Sequence, residues 1–457
     1  MWEGFRKRES GEMRPRSFAS RVRSGRIASI DLSNRKEVVS PHKGSVNSLQ
    51  VDLTEGRYLL SGASDGSAAI YDVQHATDYE GGGLIAKHRC LFSVGKHHEH
   101  GHKYSVSTVV WYPIDTGLFV TGSLDQHIKV WDTNTTQAVM NFKMPGKVYG
   151  MAMSSIATSH MLIAAGSEDV QVRLCDIASG AFTHTLSGHR DGVMTVEWST
   201  SSEWVLVSGG CDGAIRLWDI RRAGCFLVLD QSRSQMGRRP SISESTSKKG
   251  MVSQSLPTGH CSSAKSLMHH KKTPLRPGTK QLANLRKNQI VAKGTMVQRV
   301  HPGMSSSRSH ATAHYGAVTG LRATQDGMYL LSAGLDSRLR LWDIESGCNT
   351  LVNFESTRLQ SGKAIQMAVA EEASLVFVPC MTSVKVFDIW TGMTSRTLRG
   401  HFEAVNCCYY NRQDQELYTG SNDRQILVWS PSIPVIAEVD DHRTGQVSWL
   451  DVDRWSD

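Results

Sequence analysis

Hydrophobic and polar residues alternate along most of this 457-residue chain in short runs of about five or six residues. Examples are TVVWY at 108–112, LFVTG at 118–122 and HIKVWD at 127–132, with Gly, Asp and Ser at the turns between such runs. A period of two between turn-forming residues is typical of antiparallel strands. The pattern predicts an all-β protein, and nothing between these runs indicates a long helix.

A run of small residues, an Asp and then an aromatic residue recurs along the chain. Close copies are GSLDQHIKVWD at 122–132, GSEDVQVRLCD at 166–176, LVSGGCDGAIRLWDIR at 206–221, AGLDSRLRLWD at 333–343 and GSNDRQILVWS at 420–430. Looser copies are SGASDGSAAIYD at 61–72 and FVPCMTSVKVFD at 377–388. The aromatic position is filled by Tyr71, Trp131, Cys175, Trp218, Trp342, Phe387 and Trp429. Seven copies predict a seven-bladed WD-repeat β-propeller.

The spacing of these copies supports that prediction. Four of the six gaps between aromatic positions (60, 44, 43, 124, 45 and 42 residues) match the length of a four-stranded propeller blade, about 40 to 45 residues. The other two gaps must contain insertions. The segment RIASIDLS at 26–33 has the pattern of an outer strand, and we expect it to complete the blade whose inner strands end at Trp429.

A His precedes the Asp of five copies by 22 or 23 residues. The pairs are His42 with Asp65, His102 with Asp125, His189 with Asp212, His314 with Asp336, and His401 with Asp423. In a WD-repeat blade the His ends the turn before the innermost strand, and the Asp lies in the turn between the second and third strands. Buried polar groups need partners, since an unpaired one costs about 1–3 kcal/mol. We therefore expect these residues, with Asp169, Trp131, Trp342 and Trp429, to form a structural network and not a catalytic site.

Charge divides the chain into parts. The whole chain has a formal net charge of +8 and a pI near 9.0, but residues 230–313 alone contain fifteen Lys or Arg and two acidic residues. This insert is rich in Ser and nearly free of aromatic residues, so it cannot bury enough surface to fold, and we expect disorder. The expected organisation is an N-terminal docking segment (1–25), the propeller (26–229 and 314–430), the basic insert (230–313) and an acidic tail (431–457).

The insert also contains clusters of basic residues, at Arg238, Arg239, Lys248, Lys249, Lys271 and Lys272. Such clusters are typical of nuclear import signals or of weak, salt-sensitive attraction to nucleic acid. A solvated linker is the alternative. Sequence-specific nucleic-acid recognition is not expected, because no aromatic stacking platform accompanies the charge.

Several function classes find no support in the sequence. The chain has no GxSxG, HExxH, P-loop or glycine-rich dinucleotide motif, no run of 18 apolar residues and no apolar segment of a secretory signal near its start. Nine dispersed Cys without a CxxC pair suit a reducing compartment. The His-rich run at 97–102 invites a zinc interpretation, but a polar loop is favoured because His102 belongs to the repeat. We expect a binding platform without cofactor, metal or membrane span.

One copy differs from the others at the end of its third strand. Trp218 and Asp219 are followed by Ile220 and Arg221, whereas the equivalent position in two other copies is Asn134 or Glu345. An Arg leaving the blade rim toward one face can hold carboxylates or carbonyls of a partner bidentately. The alternative is a local salt bridge from Arg221 to Asp219.

Residues 206–221 match the box by which WD-repeat substrate receptors bind the large damaged-DNA-binding adaptor of cullin-four RING ubiquitin ligases. More of the chain resembles one family of these receptors, that of the Cockayne syndrome A protein. The resemblance lies in EGRYLLSGASDGSAAIYD (55–72), HKYSVSTVVWYPIDTG (102–117), KVWDTNTTQ (129–137), RLWDIRRAG (216–224), NTLVNF (349–354) and LRGHFEAVNCC (398–408). It extends from about residue 26 to residue 430, and the basic insert is not part of the family pattern.

The resemblance implies a non-catalytic receptor in transcription-coupled nucleotide excision repair. It implies contact with the adaptor through Trp218, Asp219, Arg221 and an N-terminal segment in which Trp2 and Phe5 share one face of a short helix, and it implies cullin-four and its RING subunit as further partners. A disordered tail is the alternative for the N-terminal segment. The resemblance further implies a nuclear protein working with a Cockayne syndrome B-type remodeller and stalled RNA polymerase. A nuclear WD-repeat scaffold in chromatin or RNA processing is the alternative, and a propeller enzyme is disfavoured by the absence of catalytic motifs.

Overall fold

The computed structural model describes residues 2–82, 84–231, 312–359 and 362–432. The polypeptide first forms two helices and two short strands before it enters the repeats. These elements are α1 (Trp2–Glu9), α2 (Pro15–Ala28), β1 (Ile30–Leu32) and β2 (Lys36–Val39). Pro15 starts α2, where a residue without an N–H costs no intrahelical hydrogen bond.

In blades 1 to 3 the strands follow one another in sequence from the centre of the propeller outward. Blade 1 contains β3 (Val46–Val51), β4 (Tyr58–Ala63), β5 (Ala68–Asp72) and, after the short β6 (Asp78–Glu80), the long β7 (Ile85–Val94). Blade 2 contains β8 (Val106–Trp111), β9 (Leu118–Ser123), β10 (His127–Asp132) and β11 (Ala138–Lys143). Blade 3 contains β12 (Val148–Met153), β13 (Leu162–Ser167), β14 (Gln171–Asp176) and β15 (Ala181–Ser187).

Blades 4 to 6 follow the same meander. Blade 4 contains β16 (Val193–Trp198), β17 (Val205–Gly210), β18 (Ile215–Asp219) and β19 (Cys225–Leu229). Blade 5 contains β20 (Val318–Ala323), β21 (Tyr329–Gly334), β22 (Arg338–Asp343) and β23 (Cys348–Asn349). Blade 6 contains β24 (Ala368–Ala370), a 3-10 turn (Glu371–Ala373), β25 (Leu375–Cys380), β26 (Ser383–Asp388) and β27 (Thr394–Arg399).

Blade 7 combines the two ends of the repeat array, as the sequence predicts. Its inner strands are β28 (Val405–Asn411), β29 (Glu416–Ser421) and β30 (Ile426–Pro431), and β1 pairs with β30 as the outer strand, Leu32 opposite Trp429. Asn406 of β28 donates a side-chain hydrogen bond to the Val46 carbonyl of blade 1 at 2.8 Å. The described strands thus form the seven blades of a closed propeller.

The outer strand is shorter than expected from the sequence. Residues 26–33 are predicted to be extended, but Arg26 to Ala28 belong to α2 and only Ile30–Leu32 is a strand. The cause is packing, since Ile27 is buried in the same apolar cluster as Ile30 and Trp429, and a helical turn places it there. The boundary between the N-terminal segment and the propeller therefore lies a few residues later than 25.

The first long gap in the repeat spacing contains an additional connection between blades. In that gap, β6 forms a hairpin with β7, and β7 pairs with β5 in blade 1 and, in parallel, with β2 on its other side. Because β2 also touches β30 through Val38 and Ile426, blades 7 and 1 share one sheet. The second long gap, 232–311, lies outside the described residues, but its ends are adjacent: the Gln231 N–H donates to the Thr312 carbonyl at 3.1 Å.

Candidate docking face

The predicted network is present in blades 2, 4, 5 and 7. In blade 4 the Asp212 carboxylate accepts from His189 Nδ1 at 3.0 Å, His189 Nε2 meets the Ser208 hydroxyl at 2.7 Å, and Trp218 Nε1 donates to Ser208 at 2.8 Å. The corresponding sets are His102, Asp125, Thr121 and Trp131; His314, Asp336, Ser332 and Trp342; and His401, Asp423, Thr419 and Trp429. Every polar atom of this relay is paired, which fits the structural role expected of it.

Blades 1 and 3 depart from the network. His42 in blade 1 binds Ser61 and Ser67 at 2.6 Å each, and Asp65 reaches it only through Ser67. In blade 3 no His precedes the repeat Asp, and Asp169 instead accepts from Arg173 at 3.0 Å. Cys175 takes the position of the Trp and is buried. The spacing that places Asp65 in the network is therefore correct, but its direct bond to His42 is replaced by a serine bridge.

Burial and hydrogen bonding within the network also shift the pKa values of several of its residues. Burial lowers the pKa of His42 to about 4, and burial likewise lowers the pKa of His102. For Asp125 burial acts in the opposite direction, but hydrogen bonds from His102 and from two backbone amides outweigh it and bring its pKa to about 2. The blade 2 relay thus combines a neutral His102 with an ionised Asp125 at pH 7, a state that suits a scaffold.

Arg221 lies in the turn between β18 and β19. Its Nε donates to Asp219 Oδ1 at 2.9 Å and its Nη2 to Asp219 Oδ2 at 2.8 Å, while the guanidinium lies 5.2 Å from the centre of the Trp204 ring. The side chain remains 54% exposed. The local salt bridge considered from the sequence is therefore formed, and it leaves the outer side of the guanidinium open to a partner.

Trp218 and Asp219, at the end of β18, support this turn from inside the blade. Asp219 is largely buried and orients Arg221, also accepting its backbone N–H at 3.1 Å. Trp218 was expected among the adaptor contacts, but it is 0% exposed and donates to Ser208, so it cannot touch a partner. Trp218 therefore supports the blade and does not belong to the docking surface.

Arg221 and the N-terminal helices lie on one face of the propeller, which we call the docking face. It is formed by the turns between first and second strands and between third and fourth strands. Trp204 and the 3-10 turn occupy equivalent turns in blades 4 and 6, and Ser24 of α2 donates to the Glu372 carbonyl of that 3-10 turn. The helices are therefore anchored two blades away from Arg221.

The helices pack on each other through few apolar contacts. Trp2 is the first residue of α1, and the Phe5 ring lies 5.0 Å from the Phe18 ring of α2. Phe5 is 37% exposed, so part of an aromatic surface is open to solvent. The predicted short helix is confirmed, and a second helix that the sequence interpretation did not identify completes the hairpin.

Three exposed apolar residues lie between Arg221 and the helices and were not identified from the sequence. Met328, Trp390 and Met393 are 56%, 52% and 60% exposed. Trp390 packs edge-on against Tyr329, with the two ring centres 5.0 Å apart. A signal exists in the sequence, because Phe387, Asp388, Ile389 and Trp390 match Trp218 to Arg221, so Trp390 occupies the Arg221 position of blade 6.

Other predicted residues cannot be placed. Arg238, Arg239, Lys248, Lys249, Lys271 and Lys272 lie outside the described residues, as does the tail after residue 432. Across the described ranges, no three His, Cys, Asp or Glu side chains are grouped to hold a metal ion. In the same ranges, no helix is long and apolar enough to cross a membrane.

Comparison with known proteins gives the family. The model of the WD domain, G-beta repeat, matches residues 34–72, 93–132, 180–219, 306–343 and 392–430. The chain is 62% identical over 460 residues to WD repeat-containing protein ATCSA-1 of Arabidopsis thaliana, covering 100% of both chains. It is 31% identical over 126 residues to Radiation-sensitive protein 28 of Saccharomyces cerevisiae, covering 26% of this chain and 25% of that protein. With Nuclear distribution protein nudF of Aspergillus niger it shares 27% identity over 278 residues, 55% of this chain and 62% of that protein.

The full-length match covers the N-terminal helices, all seven blades and the insert, so the expectation that the insert lies outside the family pattern is wrong for this relative. The other two matches cover 26% and 55% of the chain. Together with the sequence segments that carry the resemblance, the full-length match shows that the chain belongs to the Cockayne syndrome A family of WD-repeat proteins.

Proposed function

We propose that this chain is the non-catalytic substrate receptor of a cullin-RING ubiquitin ligase that acts in transcription-coupled nucleotide excision repair. The observation that carries the proposal is the Asp219-oriented Arg221 on the same face as the N-terminal helix hairpin. In the receptors that this family resembles, a helical segment and blade turns bind the damaged-DNA-binding adaptor. The adaptor would then connect the chain to cullin-four and its RING subunit.

The docking face has the composition of a protein interface. Aromatic residues, Met and Arg are enriched at the energetic centres of such interfaces. Arg221, Trp390, Met328 and Met393 supply these residue types between the helices and blade 4. The bidentate bond to Asp219 preorganises the guanidinium, so binding would cost little side-chain entropy.

Two buried cysteines fit a non-catalytic role. Burial raises the pKa of Cys175 to about 12 and raises the pKa of Cys408 well above its ordinary value. A thiol acts as a nucleophile only as the thiolate. In the proposed complex, ubiquitin transfer would therefore come from the RING subunit and its conjugating enzyme, while this chain positions substrates near stalled RNA polymerase, with a Cockayne syndrome B-type remodeller as a partner. We place the chain in the nucleus.

The test is adaptor binding by Arg221→Ala, measured with the purified adaptor and the full chain. Loss of an interface arginine costs roughly 2 kcal/mol or more, which corresponds to about 30-fold weaker binding. Arg190→Ala is the matched control, because Arg190 is an exposed arginine at the opposite end of the same blade. Its binding should be unchanged.

The N-terminal helices can contribute to adaptor binding and so mask the loss of affinity caused by Arg221→Ala. The comparison is therefore repeated without residues 1–23. Unchanged affinity of Arg221→Ala in both backgrounds would refute the docking role of Arg221. If wild-type chain captured no adaptor from nuclear extract at low salt, the ligase function itself would be wrong, and a scaffold in chromatin or RNA processing would replace it.

A further inference from the structure

The fourth strand of blade 5 has two residues and is much shorter than those of blades 1 to 4 and blade 6. In blade 3, the outer strand β15 pairs with the third strand from Gln171 to Asp176. In blade 5, β23 pairs only with Trp342 and Asp343, and one further bond joins the Thr350 N–H to the Leu341 carbonyl at 2.9 Å. No strand of the described residues covers Arg338, Leu339 or Arg340 on the outer side. The N-terminal half of β22, Arg338–Arg340, is therefore an open sheet edge.

The chain leaves this edge because of two local features. The Leu351 N–H binds Asn349 Oδ1 at 2.8 Å, and Leu351 has a φ of 62°, which turns the backbone away from β22. Phe354 is then buried against the Phe387 ring of blade 6 at 6.0 Å, and the Glu355 N–H donates to the Gly392 carbonyl at 3.3 Å. The segment is held by blade 6 and meets the β22 line again at Ser337, whose carbonyl accepts from the Thr357 N–H at 3.3 Å. Between Thr350 and Thr357, no described strand pairs with Arg338–Arg340.

The missing half-strand leaves a slot of about 470 Å³. Side chains alternate along β22, so its two sides differ. Leu339 faces the apolar cluster that contains Phe354 and Val352, whereas Arg338 and Arg340 lie on the other side with Tyr315. An occupant of the slot would meet apolar and basic groups alternately.

Only one of the two arginines is neutralised. Arg340 is bound to Asp336 at 2.8 Å and is nearly buried. Arg338 is exposed, and no ion pair links it to any acidic group within the described residues. Tyr315 beside it is 73% exposed. The basic side of the slot is thus complementary to a carboxylate.

We propose that this slot binds an extended acidic segment of a partner protein, which pairs antiparallel with Arg338–Arg340 as the missing outer strand. Backbone hydrogen bonds to an open edge give affinity, and alternate side chains give specificity. Acidic side chains of the segment face Arg338, and apolar ones pack against Leu351, which lines the slot and is 60% exposed. The chain's own insert is the poorer occupant, because residues 232–311 contain fifteen Lys or Arg and one acidic residue.

The probe is a synthetic acetylated nonapeptide of alternating Glu and Val, titrated into the full chain by calorimetry. It should bind, and hydrogen exchange of the Leu339 amide should slow on binding. Arg338→Glu should weaken binding roughly tenfold or more, since it replaces attraction by repulsion. Arg399→Glu is the matched control, because Arg399 is an exposed arginine on β27, an outer strand that covers its blade fully. Its affinity should change less than about twofold.

Two methylated peptides test the strand pairing without altering the protein. One is N-methylated on the amides that face β22 and the other on the amides of the opposite edge. The first should lose binding and the second should keep it, because only one edge of an added strand pairs with the sheet.

Each contrary result overturns the proposal. Equal weakening by Arg338→Glu and Arg399→Glu would show unspecific charge attraction. Equal binding of both methylated peptides, or unchanged exchange of the Leu339 amide, would show that no strand is added. Binding only after deletion of residues 232–311 would assign the slot to the chain's own insert, and absence of binding in both forms would show that the edge is closed.

Discussion

Replacing Asp212 by Ala tests whether the repeat network holds the blade together. The Asp212 carboxylate accepts from His189 Nδ1 at 3.0 Å, from the Ala214 N–H at 3.1 Å and from the Arg190 N–H at 3.0 Å. The His189 side chain is fully buried and the Ala214 amide is partly buried, so both lose their partner without gaining full access to water. At about 1–3 kcal/mol for each unsatisfied buried group, the free energy of unfolding should fall by roughly 2–4 kcal/mol.

Asp169→Ala is the matched control in the neighbouring blade. Asp169 occupies the same turn but has no His partner, and its bond to Arg173 lies between side chains that are partly exposed. A pair of this kind contributes about 0–1 kcal/mol. Urea denaturation followed by tryptophan fluorescence measures both variants. If Asp169→Ala shifted the midpoint as far as Asp212→Ala, the relay from His189 to Trp218 would not be the source of stability and the reasoning would be refuted.

Three further predictions concern acid, ring closure and the insert. Burial lowers the folded-state pKa of His42 to about 4, so the unfolded chain binds more protons between about pH 6.5 and 4. The free energy of unfolding should therefore fall as pH decreases through this window, by up to about 3 kcal/mol for His42 alone, and calorimetry should show a falling thermal midpoint. A midpoint that stays constant across this window would contradict this. Ile30→Ala, in the strand that closes blade 7, should cost roughly 2–4 kcal/mol in urea denaturation because Ile30 is buried beside Trp429, whereas Leu32→Ala, nearly half exposed, should cost far less. Deleting residues 232–311 should leave the thermal midpoint nearly unchanged, since Gln231 and Thr312 are already hydrogen-bonded, and a drop of many degrees would show that the insert packs on the propeller.

Much of the fold can be predicted from the spacing of the repeat His, Asp and aromatic residues, because most blades repeat the same local hydrogen bonds. The interval from His189 to Trp218 contains three strands and the buried relay that joins them. Where a local side chain intervenes, spacing alone does not predict the contact: Ser67 bridges Asp65 and His42 in place of their direct hydrogen bond. The helical turn at Ile27 could not be predicted because it is fixed by residues distant in sequence: Ile27 is buried in an apolar cluster of blades 6 and 7 whose members extend from Ala368 to Trp429.

The candidate site was only partly accessible to sequence interpretation. Arg221 stands out because it breaks the repeat, and the structure places it on the surface. Trp218 belongs to the same box but is buried, since strand alternation turns it inward. Trp390 was missed because its copy lacks the repeat Asp and His. The open edge of β22 has no local signal at all, because Arg338 to Asp343 match the repeat well and the departure begins only at Leu351.

The sheet shared by blades 7 and 1 affects the order of events during synthesis. Strand β1 leaves the ribosome first and its partner β30 last, so the ring can close only after roughly 400 intervening residues have been made, about 20 to 80 s at ordinary elongation rates. Throughout that time the inner edge of β3 and the apolar side of blade 1 lack the neighbour that Asn406 and its strand later provide. A nascent chain of this architecture therefore presents unpaired apolar surface for most of its synthesis, and a premature stop before residue 426 leaves a ring that cannot close.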